Sequence, residues 1–222
     1  MKSRYIKVYW VLAVLPLVVT LVAMPLFPEK VPMHYNAAGE ITRWGSKYEQ
    51  LIFPVIILAM AFLVKWMIKL TVKEESDGSN MKALLMVGAS TLMLFNGMNS
   101  IILYNGYLSK TDIGTSIDLS KATASLLGIV LIIIGNVLPK CKQNAIIGIR
   151  TPWTLKDKNV WYKTHRVGGP VMMIGGIIST VITGIFLEGI VAQLFVVGIL
   201  IVVSLILTIY SYRVYCDQRI KS

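Results

Sequence analysis

Charge is scarce where this chain is most apolar. Only 15% of its 222 residues are charged against 55% hydrophobic. The apolar residues gather in blocks of about twenty, the length that crosses a bilayer as helix, and no block has an ionisable group near its middle. That weighs against an ion-coupled transporter, which places such a group near the membrane midplane. Two cysteines and two histidines are all the sequence offers of the usual metal-binding types besides carboxylates. Cys141, Cys216 and His165 lack ligand spacing, and His34 falls on the opposite face from His165 in the topology below, so no metal or other cofactor is expected. H-E-x-x-H, P-loop and G-x-S-x-G signatures are missing, as is a paired acidic motif inside a span. No basic, aromatic-interleaved soluble module is present, so direct nucleic-acid binding is not expected.

What remains is a polytopic membrane protein. Six apolar blocks span roughly 8–27, 51–68, 81–108, 122–138, 171–187 and 190–210. Helices satisfy their own backbone hydrogen bonds where water is absent, so the expected fold is all-α with six transmembrane helices. The first block follows Lys2, Arg4 and Lys7 but ends in "TLVAMPLFPEK" without an A-x-A-like site, and is read as a retained span. The amino terminus, the 65–82 connection, the 139–169 loop and the carboxyl tail hold 17 of the 22 Lys and Arg. The positive-inside rule then places both termini and the 139–169 loop in the cytoplasm. Most of the net charge of +11 therefore reports topology and contact with anionic lipid. Both cysteines fall on the reducing side, where a structural disulfide is not expected.

Between the first two spans, Pro25, Pro28 and Pro32 stand too close together for a helix to run through them. An ordered extended or turn segment on the outer face is expected, with a turn at Asn36–Gly39 and with Trp44 and Tyr48 anchored in the interface. The polar stretch at 71–80 reads as a solvated turn without function. Asn96 and Asn99 share a face of the third span, where amides seek partners on neighbouring helices. In the fifth span Gly176, Thr180 and Gly184 form a small-residue stripe for close helix approach, and Pro170 is expected in its first turn.

The segment "GNVLPKCKQNAIIGIRTPWTLKDKNVWYKTHRVGGP", 135–170, is too rich in specific residue types to be a tether. It reads as a strand-like or turn segment through Asn144–Thr151. A short amphipathic helix then starts near Thr154, with Asp157 completing the start signal. In that helix Val160, Trp161 and His165 share a side, Lys156, Lys158 and Lys163 face water or lipid headgroups, and Trp153, Trp161 and Tyr162 lie in the interface. Asn144, Arg150, Thr151, His165 and Arg166 suit an anion or carboxylate pocket, with His165 available for proton transfer. The competing expectation is that Arg150 and His165 pin the loop to carbonyls at the ends of spans four and five.

"GNVLPKCKQNAIIGIRTPWTL" followed by "VWYKTHRVGG" resembles the defining motif of the SdpI family, membrane proteins named for immunity to a sporulation-delaying toxin. The matching positions are Asn136, Pro139, Lys140, Asn144, Gly148, Arg150, Thr151, Pro152, Trp153, Thr154, Trp161, Thr164, His165, Arg166 and Gly168. "VPMHYNAAGEITRWGSK" is similar to the proline-rich outer module that often opens such proteins, through Pro32, His34, Asn36, Gly39 and Trp44, with the acidic residue at Glu40. The resemblance implies a two-span module at 1–80 and a four-span module at 81–222. It also implies a bacterial cytoplasmic-membrane protein conferring resistance to a secreted, membrane-active peptide toxin and recruiting an autorepressor to the membrane. Ligand or partner contacts are then expected at Asn136, Lys140, Asn144, Arg150, Thr151, Trp153, Trp161, His165 and Arg166, and on the outer side at His34, Asn36 and Trp44. The alternative is a membrane-embedded enzyme or lipid- or anion-binding protein that uses Arg150, Arg166 and His165; it lacks an internal carboxylate or nucleophile.

Overall fold

The computed structural model describes residues 2–36, 40–74, 80–109, 117–144 and 146–221. Along them run helix α1 (Lys2–Ala23), strands β1 (Lys30–Tyr35) and β2 (Ile41–Ser46), and helices α2 (Ile52–Glu74), α3 (Met81–Leu108), α4 (Leu119–Val137), α5 (Pro152–Lys156), α6 (Lys158–Ile185) and α7 (Gly189–Lys221). All of these helices except the five-residue α5 are long and apolar enough to cross a membrane. The six expected spans are thus present. Residues 37–39 of the expected turn, 75–79 of the polar connection and 110–116 between the third and fourth spans lie outside the described residues.

The outer segment corrects the all-α expectation: β1 and β2 form an antiparallel hairpin. Prolines forbid helix there yet suit extended chain, and Pro32 is tolerated within β1 because each strand of a two-stranded sheet is an edge. The register shifts between Pro32 and His34 and again between His34 and Tyr35. Asn36 and Glu40 close the hairpin, the Glu40 N–H donating to Asn36 Oδ1 at 2.9 Å and Asn36 Nδ2 to Glu40 Oε2 at 2.7 Å.

α1, α2 and α3 pack together, as do α4, α6 and α7, and α3 also packs on α4 to join the groups. The first group closes around Tyr9, Ala13, Ile57, Ala61, Ile68 and Leu85, with Tyr9 Oη donating to the Ala61 carbonyl at 2.7 Å. Pro16 lies inside α1. Having no N–H, it leaves the Leu12 carbonyl without its helical donor, and Asn96 Nδ2 of α3 supplies one at 2.8 Å. Three residues on, Asn99 Nδ2 donates to Thr20 Oγ1 at 3.3 Å, so the asparagine face is spent on α1.

α4 and α6 meet backbone to backbone. A Cβ on Gly128 would lie 2.8 Å from the Gly176 carbonyl oxygen, and one on Gly135 would lie 2.6 Å from that of Gly169. The small-residue stripe therefore runs through Gly169, Gly176 and Thr180, facing Gly128 and Gly135. Gly184, placed in the stripe from spacing, meets only Ser125 Oγ at 3.5 Å. Pro170 is also displaced from its expected position: α6 begins at Lys158 and runs through it. The predicted interfacial helix and the fifth span are one 28-residue helix.

Candidate functional site

The motif segment folds as a cap over one end of the bundle, and the fold begins with Asn144. Its Oδ1 accepts from the N–H groups of Ile146 and Ile147 at 2.8 and 2.9 Å, and its Nδ2 donates to the carbonyls of Lys142 and Ile147. An Asx-type turn results, so Asn144 is buried in shaping backbone. Ile146 and Ile147 reach across to pack against the α1–α3 core. Asn80, just ahead of α3, clamps the same loop: Lys142 N–H donates to its Oδ1 at 2.8 Å and its Nδ2 donates to the Lys142 carbonyl at 3.0 Å.

Gly148 follows with φ +130°. A Cβ there would lie 2.4 Å from His165 Nε2 and 2.7 Å from the Trp161 ring. The chain therefore passes directly over a buried aromatic pair. His165 and Trp161, 1% and 2% exposed, stack with centroids 4.0 Å apart. Trp161 Nε1 donates to the Cys141 carbonyl at 2.9 Å. His165 Nδ1 sits 2.8 Å from the Trp161 carbonyl and Nε2 accepts from the Ile149 N–H at 3.1 Å. A carbonyl only accepts and an amide N–H only donates, which fixes His165 as the neutral, Nδ1-protonated tautomer. Both ring nitrogens are committed to backbone, one of them to the loop itself.

The octapeptide continues as a reciprocal cap. Thr151 N–H donates to Thr154 Oγ1 at 2.9 Å and Thr154 N–H to Thr151 Oγ1 at 3.3 Å, while buried Thr154 Oγ1 donates to the Ile149 carbonyl at 2.7 Å. Pro152 takes the first position of α5, where its missing N–H costs nothing. Trp153 Nε1 donates to Ser211 Oγ of α7 at 2.7 Å, and its ring lies against Tyr212 and Tyr215. The helix start read at Thr154 and Asp157 divides in two: Thr151 caps α5, and Asp157 Oδ1 caps α6 by accepting from Asn159 and Val160 at 2.7 and 3.0 Å. Trp161, expected in the interface, is core, because α6 is buried on the side that carries Val160, Trp161, Thr164 and His165.

The expected contact residues thus sort into two sets. Asn144, Thr151, Trp153, Trp161 and His165 face inward and build the cap. Asn136, Lys140, Arg150 and Arg166 are exposed. Lys140 Nζ donates to Asn136 Oδ1 at 3.4 Å and Arg166 Nη1 to the Tyr162 hydroxyl at 3.4 Å. Arg150 has no hydrogen bond or ion pair among the described residues and stands on a cavity of about 350 Å³ between α4, α6 and α7, lined by Leu131, Met172, Val203 and Leu207. The anion-pocket arrangement is not assembled: His165 lies beneath the loop, and its nitrogens do not face Arg150's cavity. Sequence reasoning missed Asn80 and Gln143, whose Nε2 donates to the Thr154 and Leu155 carbonyls at 2.8 and 2.7 Å. No local pattern marks either, since their partners are backbone atoms distant in sequence.

At the opposite end, His34, Asn36 and Trp44 are exposed on the hairpin. His34 Nδ1 is 2.5 Å from Thr42 Oγ1. Beneath the hairpin lies a larger cavity of about 680 Å³, walled by β1, α2, α3 and the ends of α4 and α7 nearest the hairpin.

Comparison with known proteins agrees with this architecture. Residues 140–211, which include α5, α6 and most of α7, match the SdpI/YfhL protein family. Residues 11–58, from α1 through the hairpin into α2, match a domain of unknown function, DUF1648. The chain is 28% identical over 217 residues to the Immunity protein SdpI of Bacillus subtilis (strain 168), covering 97% of each. No solved structure matches. With six helices long and apolar enough to span a membrane, the chain is a multi-pass cytoplasmic-membrane protein whose residues 140–211 are similar to the SdpI/YfhL protein family and whose residues 11–58, ahead of that segment, are similar to DUF1648.

Proposed function

We propose that this chain is an immunity protein that protects the membrane of its cell against a secreted, membrane-active peptide toxin. The observation that carries the reading is its end-to-end similarity to a protein named for immunity. The geometry supports it in a second way, since Asn144, Thr151, Thr154 and His165 of the motif are engaged in scaffolding the loop and a cavity of about 680 Å³ lies at the hairpin end. Toxin is met on the outer side, and the 1–80 module supplies the hairpin roof. The capped end, with both termini, faces the cytoplasm, as the distribution of lysine and arginine favours.

Signalling belongs to the exposed part of the cap. Arg150, Pro152 and Leu155 project from the octapeptide, backed by a cap fastened to α3 through Asn80, to α7 through Trp153 and to α6 through His165. A cytoplasmic repressor docks on that surface when toxin shifts the packing of the two helix groups. This requires toxin to bind the two arrangements with different affinity. Survival of a sensitive Gram-positive host is the test, with and without this chain, across a panel of membrane-active peptide toxins. Protection against at least one peptide is expected. Equal killing by every peptide, with the chain verified in the membrane, would overturn the proposal.

A further inference from the structure

The cavity beside Arg150 differs in chemistry between its two ends. At the cap end stand Arg150 and Thr208, with Ser204 one turn farther along α7; all three are exposed and line the cavity. The loop is held at this height, because Trp153 is hydrogen-bonded to Ser211, within a turn of Thr208. The far end is closed by Leu131 of α4 and Leu200 of α7, the latter about 12 Å from Thr208 at 1.5 Å per helical residue. Met172 and Val203 continue the apolar wall between them.

The polar end lacks a counterpart. Among the described residues Arg150 has no hydrogen bond or ion pair, and the hydroxyls of Ser204 and Thr208 have no hydrogen bond. No acidic residue is among the described lining, so the mouth carries one uncompensated positive charge. A guanidinium presents a planar fork of N–H donors that matches the oxygens of a phosphate. The apolar end asks for hydrocarbon instead. Both demands lie along α7, a helix long and apolar enough to span the membrane, with the charge at the capped face and the leucines toward the interior. A phospholipid in its leaflet has the same order of polarity, and basic residues at a membrane face attract anionic lipid. The volume of about 350 Å³ lies in the range of ligand sites.

We propose that this cavity seats one anionic phospholipid from the leaflet on the capped side, its phosphate on Arg150 and an acyl chain between α4, α6 and α7. A soluble anion meets the guanidinium but leaves the apolar end unfilled. A choline lipid brings a second cation beside Arg150. The site goes beyond the immunity reading and stands without it: a lipid that holds Arg150 sets how much of the octapeptide a cytoplasmic partner finds free.

The test places the full chain in phosphatidylcholine nanodiscs and titrates in phosphatidylglycerol with a diazirine on its acyl chain, mapping the crosslinks by mass spectrometry. Saturable crosslinks to Leu131, Met172, Leu200 or Val203 are expected. Phosphatidylcholine with the same diazirine should give only labelling that does not saturate. Arg150→Gln should raise the half-saturating fraction of phosphatidylglycerol roughly tenfold, the scale of one lost charge-assisted hydrogen bond, and Arg150→Lys should recover part of it. Ser204→Phe, which fills the cavity from an exposed position of α7, should abolish the saturable crosslinks with the thermal midpoint unchanged. Glycerol 3-phosphate in excess should leave them in place. Wild-type saturation by Arg150→Gln, or equal labelling of the cavity by both lipids, would overturn the site. Displacement by glycerol 3-phosphate would overturn it too, assigning Arg150 to a soluble anion.

Discussion

Gly148 is the residue on which the cap turns. Its φ of +130° and the aromatic pair beneath it each exclude a side chain. Gly148→Ala is therefore expected to destabilise the protein by about 1–3 kcal/mol, the scale of one strained backbone position, read as a lower thermal midpoint in detergent. His165→Ala should cost at least as much, because it unpairs the Ile149 N–H and leaves a hole beside Trp161. Cys141 gives a pH signature. Burial pushes its thiol up to about 11 from the ordinary 9.0. The stability that comes from keeping it neutral is full below pH 9 and is lost as pH rises through 11. Maleimide at pH 8 should leave Cys141 unmodified in the folded chain and label it once unfolded; labelling of the folded chain would show that the cap is open. That Gly148, Thr151 and His165 matter was legible as a pattern of residue types. That they face backbone and one another was not, because a motif spacing does not tell a ligand pocket from a loop that binds itself.

Helix pairs are where the sequence was read best and then only in part. The six apolar blocks announced the spans, and paired asparagines announced a partner for the third span. The reason for Asn96 becomes visible only with α1 beside it, because the carbonyl it meets was orphaned by Pro16. Asn96→Leu should therefore destabilise the protein by about 1 kcal/mol or more, and by clearly less in a Pro16→Ala background, where the helical N–H returns to Leu12. Equal losses in both backgrounds would contradict the pairing. Between α4 and α6, Gly135→Val should disrupt the contact with Gly169 at about 1–3 kcal/mol, whereas Gly184→Ala should be nearly silent. Spacing placed Gly176 and Thr180 of the stripe correctly but continued it to Gly184 instead of back to Gly169, because a small-residue repeat marks a close approach without saying where along the helix the partner comes nearest. The hairpin was legible only as an extended or turn segment with a turn at Asn36–Gly39: its prolines excluded helix, and its register is irregular enough to blur the alternation that marks paired strands.

At the scale of the whole molecule, two helix groups are joined by α3 against α4 and fastened at one end by the motif loop. Asn80 holds Lys142, and Ile146 and Ile147 enter the α1–α3 core. At the other end the hairpin-roofed cavity lies between α2 and α3 of one group and α4 and α7 of the other. Under the proposed function the capped end is the pivot and the hairpin end the place where toxin changes the packing. Protection should then depend on the outer cavity, and the exposed arginine of the octapeptide should matter only to the cytoplasmic response. Survival under toxin of cells expressing Thr123→Trp, which fills the cavity from its α4 wall, or Arg150→Ala, matched for abundance in the membrane, tests this most directly. The account predicts that Arg150→Ala still protects while Thr123→Trp loses protection; full protection by Thr123→Trp together with sensitivity of Arg150→Ala would contradict it.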